Sequence, residues 1–588
     1  MHYLILFVMI FSLSLPISNF FKRKIETAIP ISLISIIILI YITGLFDNLN
    51  LGVKIVQIIF ILTLFYNVLF IIKSIKNKTI KEEMKRIITP GLCIYIGLFL
   101  ILIIINHNRI FENYDEFNHW ALIIKNMYIN NTYGTIENSI VTFNEYPPFT
   151  AIFQYLFLKI SGTYAEDLII IAQGVLYISM VIPICEKIDF EKNFKKIIFI
   201  VPGIIILPLI FYPNFFIEIL VDGFLGVLFG IGMFLIYKKT DLYRNVLLIF
   251  ILIALVLTKT TGLFLAIMLM LFKVLKMIRK RENIKFILFL IIIPMLFIGL
   301  WNFKINKTNA VREWDVKENN IDIVSDENKV DMTLEYIKAV LLREKFTDRK
   351  LSLLVSIGVI SLLSIYIVKN LEEKKEFKIK LIELIISLII FFIGLIFVYL
   401  NLFTLKEAEA LASFERYLST ILLSIIIFDF CVLIYDFKVK RVDYYIFLVI
   451  LLVFMPLQNI MLKYVDCRNY INISHTKRNF YTNISKYEKN FSSGDKVLFI
   501  IDRITNQKVI FKLNRYNSFG SNINIVDVDF DFIDDKEKIN ELLKEVDFVY
   551  IYLLKNKDVF ENNDVSDRSL YKVFKNGDNN FKLEKINY

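Results

Sequence analysis

Ionisable side chains gather at several places where long apolar runs of the 588-residue chain begin or end. One run is followed by Tyr114-Asp115-Glu116-Phe117-Asn118-His119-Trp120, two adjacent acids with a histidine close behind. Glu145-Tyr146-Pro147-Pro148-Phe149 comes next. Glu218 and Asp222 lie four apart in Phe216-Ile217-Glu218-Ile219-Leu220-Val221-Asp222-Gly223, a spacing that predicts one shared helix face. Lys259 stands in Leu257-Thr258-Lys259-Thr260-Thr261-Gly262 between two runs, and Glu415-Arg416-Tyr417 stands where a loop enters another. Carboxylates and a histidine carry proton transfer, and lysine and arginine stabilise departing anions. Each residue also has a plainer reading. Asp115 is then a solvated loop acid, Glu116 a helix-start acid, and His119 a structural hydrogen-bonding group. Lys259 would snorkel and Arg416 would anchor a span at the interface. Jointly they read better as one outward-facing polar cavity, because acids at membrane depth are expensive and face a cavity or a partner.

The elements that must position these groups are membrane helices. Apolar residues make up 56% of the chain and mean hydropathy is +0.59. Soluble domains run at about 45–50% apolar even when Gly is counted. A soluble globular enzyme and a disordered chain are both excluded as the main reading. A span needs about 20 mostly apolar residues. Such runs lie near 3–20, 28–46, 54–72, 88–106, 166–184, 197–213, 217–237, 245–258, 260–275, 286–303, 351–368, 381–402, 417–436 and 443–462. The fold class expected is therefore an α-helical polytopic membrane protein of about fourteen spans, good to one or two, since 245–275 reads equally as one broken span. The net charge of +11 reflects basic loops rather than a nucleic-acid partner.

Those loops set the orientation. Lys22-Arg23-Lys24, Lys73–Arg86, Lys187–Lys196, Lys238–Arg244, Lys273–Lys285, Lys369–Lys380 and Lys438–Arg441 form one strongly basic, cytoplasmic set. The stretches 107–165, 304–350, 403–416 and the tail after 463 then face outside. Residues 1–87 hold three spans, 88–462 the core, 463–491 a linker and 492–588 a small external α/β domain with an accessory role. In that domain Lys496–Ile501, Lys508–Leu513 and Phe548–Leu554 read as strands and Asp535–Val546 as a helix. Leu570–Lys575 and Phe581–Ile586 flank a hairpin turn at Asn576-Gly577. Phe117–Tyr128 reads as a membrane-surface helix with Phe117, Trp120, Ile123, Ile124 and Met127 toward lipid, and Phe149–Ile160 as a second one. Four cysteines form no disulfide framework, and His2, His107, His119 and His475 are too scattered for a His-rich metal site. The Ile, Lys and Asn bias suggests an AT-rich bacterial genome, hence a bacterial plasma membrane.

In order and topology these motifs resemble the GT-C class of integral membrane glycosyltransferases, over roughly residues 88–440. The likeness is to the branch with protein O-mannosyltransferases and lipid A aminoarabinose transferases. The matching features are Asp115-Glu116 in the first large external loop, then Pro147-Pro148, then Asp222 with Glu218. Thr258-Lys259 between two spans and Arg416-Tyr417 in a late loop complete the series. Two features depart from the family: three spans precede the acidic loop, and Tyr146 stands before Pro147 where many relatives carry a charged residue or a histidine. The resemblance implies transfer of a sugar from a polyprenyl-phosphate donor to a cell-envelope glycan, lipid or protein acceptor on the outer side, with Asp115 as general base. Glu116 stands beside it, and His119, Tyr146 and Tyr417 are substrate-binding candidates. Asp115, Glu116, Glu218 and Asp222 are oxygen ligands for a divalent cation such as Mg or Mn, or orient the acceptor. Lys259 and Arg416 are the cations for the lipid phosphate.

Two other readings compete. A polymerase or ligase of lipid-linked oligosaccharides would use the 304–350 loop with Arg312, Arg343 and Arg349. A flippase or transporter for lipid-linked sugars is disfavoured because no internal repeat is visible and the polar groups lie at helix ends, not at the midplane.

Overall fold

The structure, a computed structural model, describes the chain apart from residues 1, 136–140, 192–195, 283–284, 311–330, 336, 339–352, 372–373, 402, 404–410, 412, 437–459, 493–494, 502–506, 520–522, 527–535, 554–559, 561–564, 576–580 and 588. Most of the expected span at 443–462 and of the 304–350 and 403–416 loops, and the Asn576-Gly577 turn, lie outside the described residues. The chain divides into two compact units. The first comprises Met1–His107, Asn131–Ser139 and Phe143–Cys467, the second Asn108–Asn130, Ile140–Thr142 and Arg468–Tyr588.

The first unit is helical. It runs α1 (His2–Phe21), α2 (Ile25–Leu45), α3 (Leu49–Lys76), α4 (Ile80–Ile87) and α5 (Pro90–Asn106). In the second unit a π-turn (Glu116–Trp120) leads into α6 (Ala121–Asn130). The first unit resumes with α7 (Phe149–Ser161), α8 (Glu166–Val181), α9 (Ile197–Phe211), α10 (Asp222–Tyr237), α11 (Leu242–Val256), α12 (Thr260–Lys280) and α13 (Lys285–Lys307). It closes with α14 (Leu353–Asn370), α15 (Lys374–Asn401) and α16 (Phe414–Asp436). Among the described residues, eight helices are long and apolar enough to cross a membrane, or nine if α4 and α5 form one span bent by 41°. The bend has a local cause. Pro90 holds the residue before it out of the α region, and the Thr89 hydroxyl restarts the helix by accepting the Leu92 N–H at 3.0 Å. The expected spans at 197–213, 217–237 and 245–258 are helices of 15 or 16 residues. At 1.5 Å per residue they reach roughly 22–24 Å, short of a hydrocarbon core of about 30 Å. The 245–275 stretch is two helices, α11 and α12, with the break at Leu257-Thr258-Lys259.

Burial sorts these helices. The windows of α8 and α16 are 94% buried, and that of α3 is 11% buried. The first two are interior, and α3 leaves most of its apolar surface exposed. α7, expected on the membrane surface, is buried at every position from Phe149 to Leu158, so it is an internal helix. It ends at Gly162, whose φ of +78° is the left-handed conformation that glycine takes without strain. α10 and α16 pack at backbone distance. A Cβ built on Gly226 would stand 2.4 Å from the Thr420 carbonyl oxygen, and one on Gly230 2.6 Å from that of Ser424. The Gly-x-x-x-Gly spacing clears one face of α10 and lets the two helices touch.

The second unit ends in a five-stranded sheet, β1 (Asp495–Ile501), β2 (Ile523–Val526), β3 (Phe548–Leu553), β4 (Ser569–Lys575) and β5 (Phe581–Ile586), in the order β2-β1-β3-β4-β5. β2, β1 and β3 are parallel, with Val497 opposite Phe548, and β3, β4 and β5 are antiparallel. Parallel strands need crossover helices. These are α18 (Gln507–Ser518) and α19 (Lys536–Glu545), which follow α17 (Cys467–Tyr481). Alternate residues of β1 and β3 fill two cores. Leu498, Ile500, Val549 and Ile551 pack with Ile539 and Leu543 of α19. Val497, Phe499, Ile501, Tyr550 and Tyr552 pack with Ile510 and Phe511 of α18. Lys508–Leu513, expected as a strand, is therefore helical. Its buried residues recur at helical spacing through Ile510, Phe511, Leu513 and Asn514. Residues expected as a linker form α17 and a 3₁₀ helix, Asn483–Asn490.

Candidate functional site

In the first unit the structure joins three of the sequence candidates directly and two more by ring contact. Asp222 is 2% exposed. Its Oδ1 accepts from the Lys259 ammonium at 2.8 Å, and Arg416 Nε lies 3.2 Å from its Oδ2. Lys259 is also buried, with its ammonium 4.9 Å from the Tyr417 ring and 5.8 Å from the Tyr146 ring. Burial alone would lower the Lys259 ammonium. The Asp222 charge, then Tyr417 and Tyr146, outweighs it and holds the group above its ordinary value.

Helix geometry explains the cluster. Asp222 is the first residue of α10, Lys259 immediately precedes α12, and Arg416 lies in the first turn of α16. Tyr146 stands just before α7, and the first N–H of α7, that of Phe149, donates to the Leu257 carbonyl at 2.8 Å. Four helix N-termini thus meet here. A helix N-terminus carries roughly half a positive charge from its aligned peptide dipoles. Lys259 and Arg416 set two cations against the Asp222 carboxylate at helix ends of the kind that favour an anion.

Three supports escaped sequence reasoning. The Tyr212 hydroxyl donates to the Arg416 carbonyl at 2.7 Å and lies 3.0 Å from Thr420 Oγ1, which fixes the start of α16. The Trp301 indole N–H donates to the Glu145 carbonyl at 2.7 Å, beside Tyr146. Gly226 and Gly230 bring α10 against α16, and their spacing was the one signal in the sequence that could have shown this pairing.

Glu218 does not share a helix face with Asp222. The helix begins only at Asp222, and Glu218 lies in the preceding turn, where its N–H and that of Ile217 both donate to the Asn214 carbonyl. The Tyr212-Pro213 step ends α9 and forces that turn. An apolar cavity of about 130 Å³ lies nearby between α5, α8 and α9, among Leu98, Leu102, Ile178, Leu209 and Phe216. Phe216 meets Phe215 edge to face, and Phe215 packs near Tyr212.

Asp115, Glu116 and His119 belong to the second unit. Asp115 is half-buried at the start of the π-turn, and its N–H donates to Asn113 Oδ1 at 3.1 Å. Glu116 is 1% exposed, and its carboxylate accepts the N–H groups of Glu112 and Asn113, both at 2.9 Å. That is the work of a turn-closing acid. His119 is buried with Nδ1 2.5 Å from the Thr142 carbonyl, so its ring is tied to the backbone. Phe117, Trp120, Ile123, Ile124 and Met127, expected to face lipid, are each at most 8% exposed. They are core residues, and Phe117 lies 5.6 Å from the Tyr516 ring.

Among the described residues, no group of three or more His, Cys, Asp or Glu is placed to hold a metal ion. Asp222, expected as an oxygen ligand, is engaged by two cations instead. The residues around it do not fit a divalent cation. Compared with protein-family models, curated proteins and solved structures, the chain matches none.

Proposed function

We propose that the chain is a membrane glycosyltransferase of GT-C-like architecture, with about fourteen spans, acting on a polyprenyl-phosphate sugar at the outer face of a bacterial plasma membrane. The observation that carries this reading is the meeting of Lys259, Arg416 and four helix N-termini around buried Asp222. Such a field suits a phosphate. The apolar cavity between α5, α8 and α9 supports a donor with an apolar chain.

In the proposed reaction an acceptor hydroxyl of an envelope glycan, lipid or protein attacks the anomeric carbon of the donor. A new glycosidic carbon–oxygen bond forms as the bond from that carbon to the phosphate oxygen breaks. The hydroxyl proton passes to a carboxylate base, the role that the GT-C resemblance gives Asp115. The electron pair leaves with the lipid phosphate, whose charge Arg416 and Lys259 balance. Tyr146 and Tyr417 wall the cation pair, and Asp222 holds it in place before the lipid arrives.

The test is transfer from labelled polyprenyl-phosphate sugars to envelope acceptors in membranes, with Asp115→Asn beside wild type at matched expression. The reading expects transfer by wild type and its loss in the variant. Transfer that survives in Asp115→Asn would remove the base from Asp115. Movement of the lipid-linked sugar across the bilayer with no transfer would replace the enzyme by a flippase.

A further inference from the structure

We infer that the C-terminal part of the chain is the device that positions the acidic segment, with Lys125 and Glu112 as its positioning residues; this rests on the assignment of Asp115 as the base. Asp115 lies between two anchor points. On one side Glu112 accepts hydrogen bonds from the Tyr470 hydroxyl at 2.7 Å and the Ser474 hydroxyl at 2.6 Å, both on α17. Arg478 of the same helix donates to the Phe111 carbonyl at 3.1 Å and lies over the Phe117 ring. On the other side the Lys125 ammonium donates to the Tyr516 carbonyl at 2.7 Å and the Asn517 carbonyl at 3.1 Å. Those carbonyls belong to the last turn of α18, where a helix leaves acceptors unpaired and a cation is favoured. The Lys125 ammonium also sits 4.8 Å from the Tyr516 ring centre.

The consequence is specific. The segment that carries Asp115 is far from α17 and α18 in sequence, yet it is part of their unit. A domain that merely covered a site would not need charged groups at both ends of one short acidic segment. Holding both ends fixes where the Asp115 carboxylate points, and loss of such placement slows chemistry more than it weakens binding.

The experiment uses the full chain in lipid nanodiscs, as wild type, Lys125→Met and Lys125→Arg. The first readout is amide hydrogen exchange across residues 113–124. Lys125→Met should speed exchange there by about 10- to 100-fold, the loss expected for a charge-assisted hydrogen-bonding group. Lys125→Arg, which can still donate to both carbonyls, should restore it. The second readout is transfer, where kcat in Lys125→Met should fall by about tenfold or more with KM for the donor unchanged, and recover in Lys125→Arg. Unchanged exchange in Lys125→Met overturns the clamp. Faster exchange with unchanged kcat overturns the positioning role. If wild type transfers nothing, the assignment of the base fails, and exchange alone decides whether α17 and α18 hold the segment. Should Lys125→Met not fold, Tyr470→Phe removes one hydroxyl from Glu112, and roughly tenfold faster exchange is expected from it.

Discussion

Removing Asp222 and removing Lys259 should harm the fold unequally, and the difference can be worked from the geometry. Both groups are almost wholly buried, at 2% and 4% exposure. Stranding one partner of a buried ion pair costs about 3–5 kcal/mol, because the remaining charge has lost both water and counter-charge. In Lys259→Met, Asp222 keeps Arg416 at 3.2 Å, so the loss should sit near or below the lower end of that range. In Asp222→Asn the Lys259 ammonium and the Arg416 guanidinium both lose the Asp222 charge. Arg416 retains some water, its side chain being 21% exposed, whereas among the described residues Lys259 keeps the Tyr146 and Tyr417 rings. The loss should then approach the upper end. The double variant Asp222→Asn/Lys259→Met removes the stranded ammonium and should recover much of it, with a coupling of about 2 kcal/mol or more. The assay is the unfolding midpoint and slope of all four proteins in mixed micelles under denaturant titration. Additive losses, or an Asp222→Asn loss below about 1 kcal/mol, would refute the buried ion cluster.

Gly226→Leu should separate α10 from α16, since even a Cβ at that position meets the Thr420 carbonyl at 2.4 Å. The expected cost is about 1–3 kcal/mol, read from thermal aggregation in detergent, with transfer lost at temperatures where the protein is still folded. Because the Lys259 ammonium is held above its ordinary value, it stays charged through the whole neutral and mildly alkaline range. Donor affinity should therefore not decline between about pH 7 and about pH 9, and a decline over that window would contradict the placement of Asp222. Trp301→Phe keeps an aromatic ring but loses the N–H bond to the Glu145 carbonyl. A loss of about 0.5–1.5 kcal/mol is expected in the same denaturant titration, and no change would mean the bond does not fix that segment.

The long apolar runs placed most of the helices, because a membrane helix satisfies its backbone internally and its residues need only be apolar. Lys259 and Arg416 were legible for the same reason: a charge beside an apolar run stands out. Glu218 was misplaced because residue spacing alone does not reveal that Pro213 and Asn214 turn the chain before the helix begins at Asp222. The α18 segment was misread because Lys508-Val509-Ile510-Phe511-Lys512-Leu513 is apolar enough for either period, and only the crossover from β1 to β2 decides it. Least legible was the membership of residues 108–130 in the C-terminal unit. Lys125 meets the end of α18 across nearly four hundred positions, and no local pattern encodes so distant a partner. The aromatic and aliphatic stripe from Phe117 to Met127 fits a lipid surface and a protein core equally well by periodicity, and the structure buries it.

Binding of a labelled short-chain polyprenyl phosphate to the purified protein in nanodiscs, for wild type, Lys259→Gln and Arg416→Gln, tests the central claim most directly. Each cation supplies a charge-assisted contact of about 1.5–3 kcal/mol, so each variant should bind roughly 10- to 100-fold more weakly while the uncharged polyprenol binds all three alike. Equal binding of the lipid phosphate by all three proteins would contradict the account, because the two cations at the four helix N-termini would then hold no phosphate.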